Sequence, residues 1–244
     1  MNDALAPLLS LPDVAPSVAA ARESVDELLR HRALRRSGGP LAAEVSLQCA
    51  VASAALSDHR YAVDDVRAGT VLSPVVQGAL RISRELGDVA DLWPRAPRQV
   101  LARLHTLAAA SVVPSASLGR PVADPVVASR LSSLCDLVVA GSGDPLIRAA
   151  VVHGELLALN AFSGANGLVA RGAARATLIS SGFDIRGLVA VDVGHLAREP
   201  EYVGSAHAFA TGTPDGVRSW LKHYCSAVSA GAAAVVSLAD ALVP

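Results

Sequence analysis

The chain has 244 residues, of which 52% are apolar, 18% charged and 3% aromatic, and its formal net charge is −1. That balance excludes a disordered chain, which is apolar-poor and charge-rich, and it sets up no overall field that would draw nucleic acid or an anionic membrane. A core this poor in aromatic side chains has to be built from Ala, Val and Leu, which suits closely packed helices better than a β-sandwich.

The first residues, MNDALAPLLSLPDV, carry Asp3 and Asp13 and no basic run, so they do not read as a secretory leader. Apolar residues then recur at helical spacing almost throughout. Helices are expected over 15–34, 41–58, 74–87, 97–111, 124–140, 145–160, 167–181, 188–197, 199–210 and 214–242. Four of these open on a capping residue followed by proline: Ser73-Pro74, Asp124-Pro125, Asp144-Pro145 and Thr213-Pro214. Each side-chain oxygen can accept from an orphan N–H, and proline in the first turn loses nothing by lacking its own. Gly182 reads as a glycine closing the helix before it. The segment 112–123, VVPSASLGRPVA, is rich in turn residues and could hold a short hairpin. The uncharged stretch 225–239 is too short and too weakly apolar to span a bilayer. The expectation is one all-α globular unit.

Cys49, Cys135 and Cys225 are widely spaced and odd in number, which argues against a disulfide framework or a cysteine-based zinc site. They read as small buried hydrophobes in a reducing cytoplasm. No strand leads into a GxGxxG turn, and Lys222, the only lysine, lies in no phosphate-loop context. No metal-ligand spacing links His105, His153, His195, His207 or His223 to acids or cysteines, and each reads as a core or surface histidine. No metal site is expected.

The informative stretch is DPLIRAAVVHGELLALNAFSGANGLVARGAARATLISSG, residues 144–182. One helix ends near Asn160, the loop AFSGANG follows, and a second helix starts at about Gly167. Glycines at 164 and 167 allow a tight reversal. The first N–H groups of the second helix then face the loop unpaired, and such an N-terminus favours an anion. Arg171 and Arg175, four and eight residues on, lie on that face and can add positive charge. A tight helix–loop–helix corner with solvated or acid-paired arginines stays open as the alternative.

This segment resembles the Fic (Fido) family, whose signature is His, Pro, Phe, a variable residue, an acid, Gly-Asn-Gly-Arg, two variable residues and Arg. Here that register reads Asn160, Ala161, Phe162, Ser163, Gly164, Ala165, Asn166, Gly167, Leu168, Val169, Ala170 and Arg171. His153, the run LARLHTL (101–107), Leu118-Gly119-Arg120, Tyr202 and Trp220-Leu221 also fit. The resemblance covers 97–183 well and 184–225 loosely. It implies a Fic-like core at 97–183, N-terminal helices in 1–96, C-terminal helices in 184–244, and a substrate-docking flap at Gly119 and Arg120. The family transfers AMP from ATP to protein hydroxyls.

The departures bear on that chemistry. The base position is Asn160, and an amide has no proton-accepting state near neutral pH. The acid that would hold Mg²⁺ is Gly164, and the first arginine is Leu168. His153 cannot stand in, because seven helical residues place it about 10.5 Å away. The family's inhibitory helix, whose glutamate pairs with the second arginine, finds its nearest match at Ser53 to Asp58 within the 41–58 helix. Ser57 stands in the glutamate's place, and Asp58 is one residue late, which rotates it about 100° around a helix. The resemblance therefore implies a pseudoenzyme, a binding or regulatory protein whose remaining nucleotide or phosphate contacts are Asn166, Gly167 and Arg171. ATP and Mg²⁺ binding would be weakened, and no cofactor is certain. A protein partner or a second copy is expected, with no nucleic acid or membrane. Two alternatives stay open: a diverged transferase with another base, or a structural interaction protein that uses the Ala-rich helices 41–57 and 226–239 as a seam.

Overall fold

The computed structural model describes residues 3–32, 34 and 38–242. Its α-helices are α1 (Val14–Arg30), α2 (Gly38–Ala55), α3 (Val63–Arg67), α4 (Pro74–Leu92), α5 (Pro97–Ala109), α6 (Pro125–Ala140), α7 (Pro145–Leu159), α8 (Asn166–Ser180), α9 (Val191–Ala197), α10 (Glu199–Ala210) and α11 (Pro214–Leu242). Single 3₁₀ turns lie at Ala6–Ser10 and Ser115–Ser117, and no strand forms among the described residues. The expected 15–34 helix stops at Arg30, where His31 turns extended; residue 33 lies outside the described residues.

Proline opens four helices as the sequence implies, at 74, 125, 145 and 214. Asp124 Oδ1 accepts from the N–H groups of Val126 and Val127, and Asp144 Oδ1 from Leu146 and Ile147. Thr213 Oγ1 accepts from Gly216 N–H at 3.2 Å. Ser73 is the exception: its hydroxyl leaves the helix end and meets His59 Nδ1 at 3.3 Å. Gly182 closes α8 at φ +79°, donating to Ile179 O.

The antiparallel pair α7–α8 divides the interior. One end of α7 (Leu146, Ile147, Ala149, Ala150) joins Ala174 and Leu178 of α8 in a core shared with α1, α9, α10 and α11. The other end (Val152, Leu156, Leu159) joins Leu168, Val169, Ala170, Ala173 and Ala176 in a core shared with α4, α5 and α6. Helix α2 contributes to both. Every residue of α8 from Leu168 to Leu178 is buried. A helix covered on all sides cannot shift without opening both cores. The 160–165 loop hangs from the end of this spine.

Low aromatic content shows as close backbone approach. A Cβ on Gly194 of α9 would sit 1.9 Å from Ala227 O of α11, and one on Gly78 of α4 would sit 2.2 Å from Ala108 O of α5. The large side chains are anchored by polar tips: Trp93 Nε1 donates to Thr177 Oγ1 (2.8 Å) and Trp220 Nε1 to Ala150 O (2.7 Å). The Ala-rich stretches 41–57 and 226–239 put Cys49, Ala50, Ala52, Ala54, Ala227, Ala232 and Ala239 into the interior. Helix α11 carries the uncharged 225–239 run far past its ends. By length and composition it could cross a membrane, with mean hydropathy 1.3. Here it lays Trp220, Leu221, Tyr224, Ala227 and Val228 into the core. All three cysteines are free and buried, and burial pushes the thiols of Cys49 and Cys225 up to about 12.

Gly194→Ala forces α9 off α11 and is expected to cost at least about 2 kcal/mol, seen as a lower Tm in thermal unfolding. Gly87→Ala, on α4 with nothing within 4 Å of its new methyl, is expected to raise stability by up to about 1 kcal/mol.

Candidate functional site

Helix α7 ends at Asn160 in the left-handed region (φ +44°, ψ +48°), which asparagine tolerates better than most residues. Ala161 and Phe162 follow, buried, and Gly164 (φ +79°) and Ala165 (φ +54°) reverse the chain into α8. A left-handed alanine costs about 1–2 kcal/mol, so something must hold the turn. Asn166 does: its Oδ1 accepts from Phe162 N–H (2.9 Å) and its Nδ2 donates to Phe162 O (2.7 Å). The amide that the sequence suggested as a ligand contact is committed to the loop's own backbone.

The expected hairpin at 112–123 does not form. Pro114 and Pro121 lack N–H donors, and the segment pairs with the loop instead. Val122 N–H donates to Ala161 O (2.9 Å), and Pro121 forms an isolated antiparallel bridge with Phe162. Gly119 sits at φ +70° and its N–H donates to His105 Nδ1 (2.9 Å). Nδ1 therefore carries no proton, and Nε2–H points at Ser163 O (3.3 Å). The His105 ring also stacks on Phe162, centroids 4.6 Å apart. Sequence reading passed over His105 as a packed core residue; it in fact clamps the 112–123 segment to the loop. Both ring nitrogens are engaged, and burial lowers its pKa. Arg120 beside it is exposed.

Ala165, the N-cap of α8, offers no side-chain oxygen, so the first-turn N–H groups lack an intrahelical partner. Arg171 is not turned toward them as an open cation. Its guanidinium is 2% exposed and donates to Ser53 Oγ (2.7 Å), Ser53 O (2.7 Å), Ser57 Oγ (2.8 Å) and Tyr202 OH (3.1 Å). It lies so near Gly167 that a Cβ there would meet Nη1 and Nη2 at 3.1 Å. Ser53, Ser57 and Arg171 are thus brought together. Helix α2 stops at Ala55, however, and Asp58 follows in an exposed left-handed turn (φ +65°), not on a helix face rotated by one residue.

Arg175 does not continue the cradle. It is buried across from Asp192 (3.7 Å) on a cavity of about 10 Å³ that also touches Ser53 and Leu168, scarcely room for one water. Leu168 is buried in the core. His153, whose ring Nε2 meets Tyr202 OH (3.1 Å), packs against Trp220 and His195. His195 Nδ1 meets His223 Nε2 at 2.9 Å. Among the described residues, no three His, Cys, Asp or Glu side chains are grouped to hold a metal.

The fold, though not the site by itself, matches solved structures. A Fic family protein from Desulfovibrio desulfuricans matches with TM-score 0.73 at 19% identity, covering 94% of this chain and 76% of that one. Fic-1 from C. elegans matches with TM-score 0.72 at 18% identity, covering 96% and 75%. This chain has the Fic fold. No family model matches the sequence, nor does any curated protein. At such low identity the likeness lies in the helices of the Fic fold and their order.

Four buried histidines give this Fic fold a defined pH response. Burial depresses His105, His153, His195 and His223, the last to about 4, below the ordinary 6.5. Below 6.5 the unfolded chain takes up protons that the folded chain refuses, so stability falls, by up to about 1.4 kcal/mol per pH unit for each fully shifted group. Asp184, raised by burial to about 6, and Asp192, also raised, act the other way by taking protons when folded. With four groups against two, the denaturation midpoint is expected to drop between pH 7 and pH 5, measured by guanidinium titration.

Proposed function

We propose that this Fic-fold chain does not transfer AMP and acts as a binding or regulatory protein. The observation that carries the proposal is the state of the three positions where the resemblance would put base, metal carboxylate and first arginine. Asn160 offers an amide, Gly164 offers no side chain, and Leu168 is packed in the core. None of these can regain the missing function by moving a side chain. The nearest imidazole, His105, uses both nitrogens to hold the loop. General-base catalysis is worth about 10²–10⁴ in rate, and nothing beside the loop supplies it.

A magnesium ion does not fit here. Residues 160–168 contain no carboxylate, and Mg²⁺ is ordinarily held by one or two of them alongside phosphate oxygens. What supports a residual anion contact is the uncapped first turn of α8 at Asn166 and Gly167. Arg171 could add to it only by leaving Ser53 and Ser57. ATP is expected to bind weakly, through its phosphates, to backbone donors.

Incubation with ATP labelled at the α-phosphate, with Mg²⁺, is expected to leave this chain and added proteins unlabelled. Strong labelling by the wild-type chain overturns the proposal. Ser57→Ala removes one acceptor from a buried guanidinium and is expected to cost about 1–3 kcal/mol. It is also expected to tighten phosphate binding in calorimetry, since Arg171 is held less firmly away from the loop.

A further inference from the structure

A second site lies away from the loop, between α10 and the first half of α11. Here the surface opens into a pocket of about 400 Å³. Its wall is Arg198, Glu201, Arg218, Lys222 and His223, completed by three serines and a glycine. No apolar side chain lines it.

Three cations border the cavity. Arg198 is held by Glu201 (2.9 Å, two bonds). Arg218 and Lys222 share the single carboxylate of Asp13, at 2.6 and 3.1 Å. Two carboxylates face three cations, which leaves an excess of one positive charge around a solvent-filled hollow.

The floor is the independent observation. The His223 side chain is only 3% exposed, yet its Nδ1 has no hydrogen-bond partner. The nearest acceptor, Glu201 Oε2, is 3.9 Å away, beyond bonding distance. Its other nitrogen, Nε2, is taken by His195 Nδ1. When His195 donates in that pair, the proton of His223 sits on Nδ1, on the side of Glu201, which lines the pocket. An unmet buried N–H costs free energy until something accepts from it.

We infer that this pocket binds a small phosphorylated polyol, of the sugar phosphate class. Its phosphate takes charge-assisted bonds from Arg198, Arg218 and Lys222 and accepts from His223 Nδ1. Its hydroxyls meet the serines. The volume falls within the range of small-molecule sites. No Phe, Tyr or Trp lines the pocket and the His223 ring is only 3% exposed, so no aromatic ring is open for a nucleobase to stack on, which favours this ligand class over nucleotides. The site shares no residue with the 160–171 loop, so it stands whether or not that loop binds anything.

Calorimetric titration of the full chain with glucose 6-phosphate, inorganic phosphate and glucose tests the assignment, with the histidine ring signals followed by NMR. Saturable binding of glucose 6-phosphate, at least about tenfold tighter than inorganic phosphate, with a shift in the His223 ring signal, supports it. Arg198→Gln and Lys222→Gln, both on partly exposed side chains, are each expected to weaken binding about tenfold, with the thermal unfolding of the free protein little changed. Absence of saturable binding overturns the proposal, as do unchanged affinity in both variants and a His223 signal that does not move. Equal affinity for inorganic phosphate overturns the organic ligand.

Discussion

A guanidinium cannot be taken out of water without acceptors around it, and Arg171 meets that demand with two serine side chains, a carbonyl and a phenol from α2, the turn that follows it and α10. Because those acceptors sit at the end of α2, in the turn after it and in α10, the requirement fixes where these elements lie against α8. It also favours a residue without a side chain at 167, where a Cβ would come within 3.1 Å of the guanidinium and push it from its acceptors. Charge balance is met at longer range: Asp192 feels both Arg171 and Arg175, Asp184 feels Arg175, and all four are buried. Two arginines with two aspartates is a neutral set, but only Arg175 and Asp192 approach within ion-pair distance, at 3.7 Å. The carboxylates consequently sit above their ordinary pKa, because burial outweighs the arginines.

A separate set of bonds explains the geometry of the loop. Asn166 spends its side chain on Phe162, His105 spends its ring on Gly119 and Ser163, and Val122 bonds Ala161. Each contact that shapes the turn removes a group from service to a ligand. What is left facing outward is backbone, chiefly the first N–H groups of α8.

Local features were legible in the sequence because local chemistry decides them. Proline after a capping oxygen starts a helix wherever it falls, so the openings at 74, 125, 145 and 214 could be read directly, and the glycine at 182 closes its helix for the same kind of reason. The reversal between α7 and α8 was readable in part: Gly164 turns the chain as its glycine suggests, but the second turning residue is Ala165, not Gly167, which already lies in α8. Partnerships across the fold were not. Whether Ser73 caps its helix or turns to His59 depends on where residue 59 comes to rest. Arg175 shared the spacing of a ligand-facing arginine, yet the aspartate it faces, Asp192, lies on a different helix. His105 lay in a run that fits the resemblance, but its clamping role carried no signal, since its partners Gly119 and Ser163 lie outside its helix and offer only backbone atoms. The hairpin expected at 112–123 failed because two prolines leave too few donors for self-pairing, while a ready acceptor waited at Ala161.

The left-handed turn at Asn160 bears on which side chains this position admits. Histidine, like asparagine, is among the side chains that enter this backbone region with least strain, so a single exchange there could place an imidazole at the loop at little cost to the scaffold. Gly164 is less forgiving: any side chain meets Val113 3.2 Å away on a backbone already at φ +79°. Leu168 is harder still, because an arginine there would strand a charge in the core. The three positions thus differ in what they admit: 160 takes an imidazole readily, while 164 and 168 take a carboxylate or a guanidinium only at a cost to the scaffold.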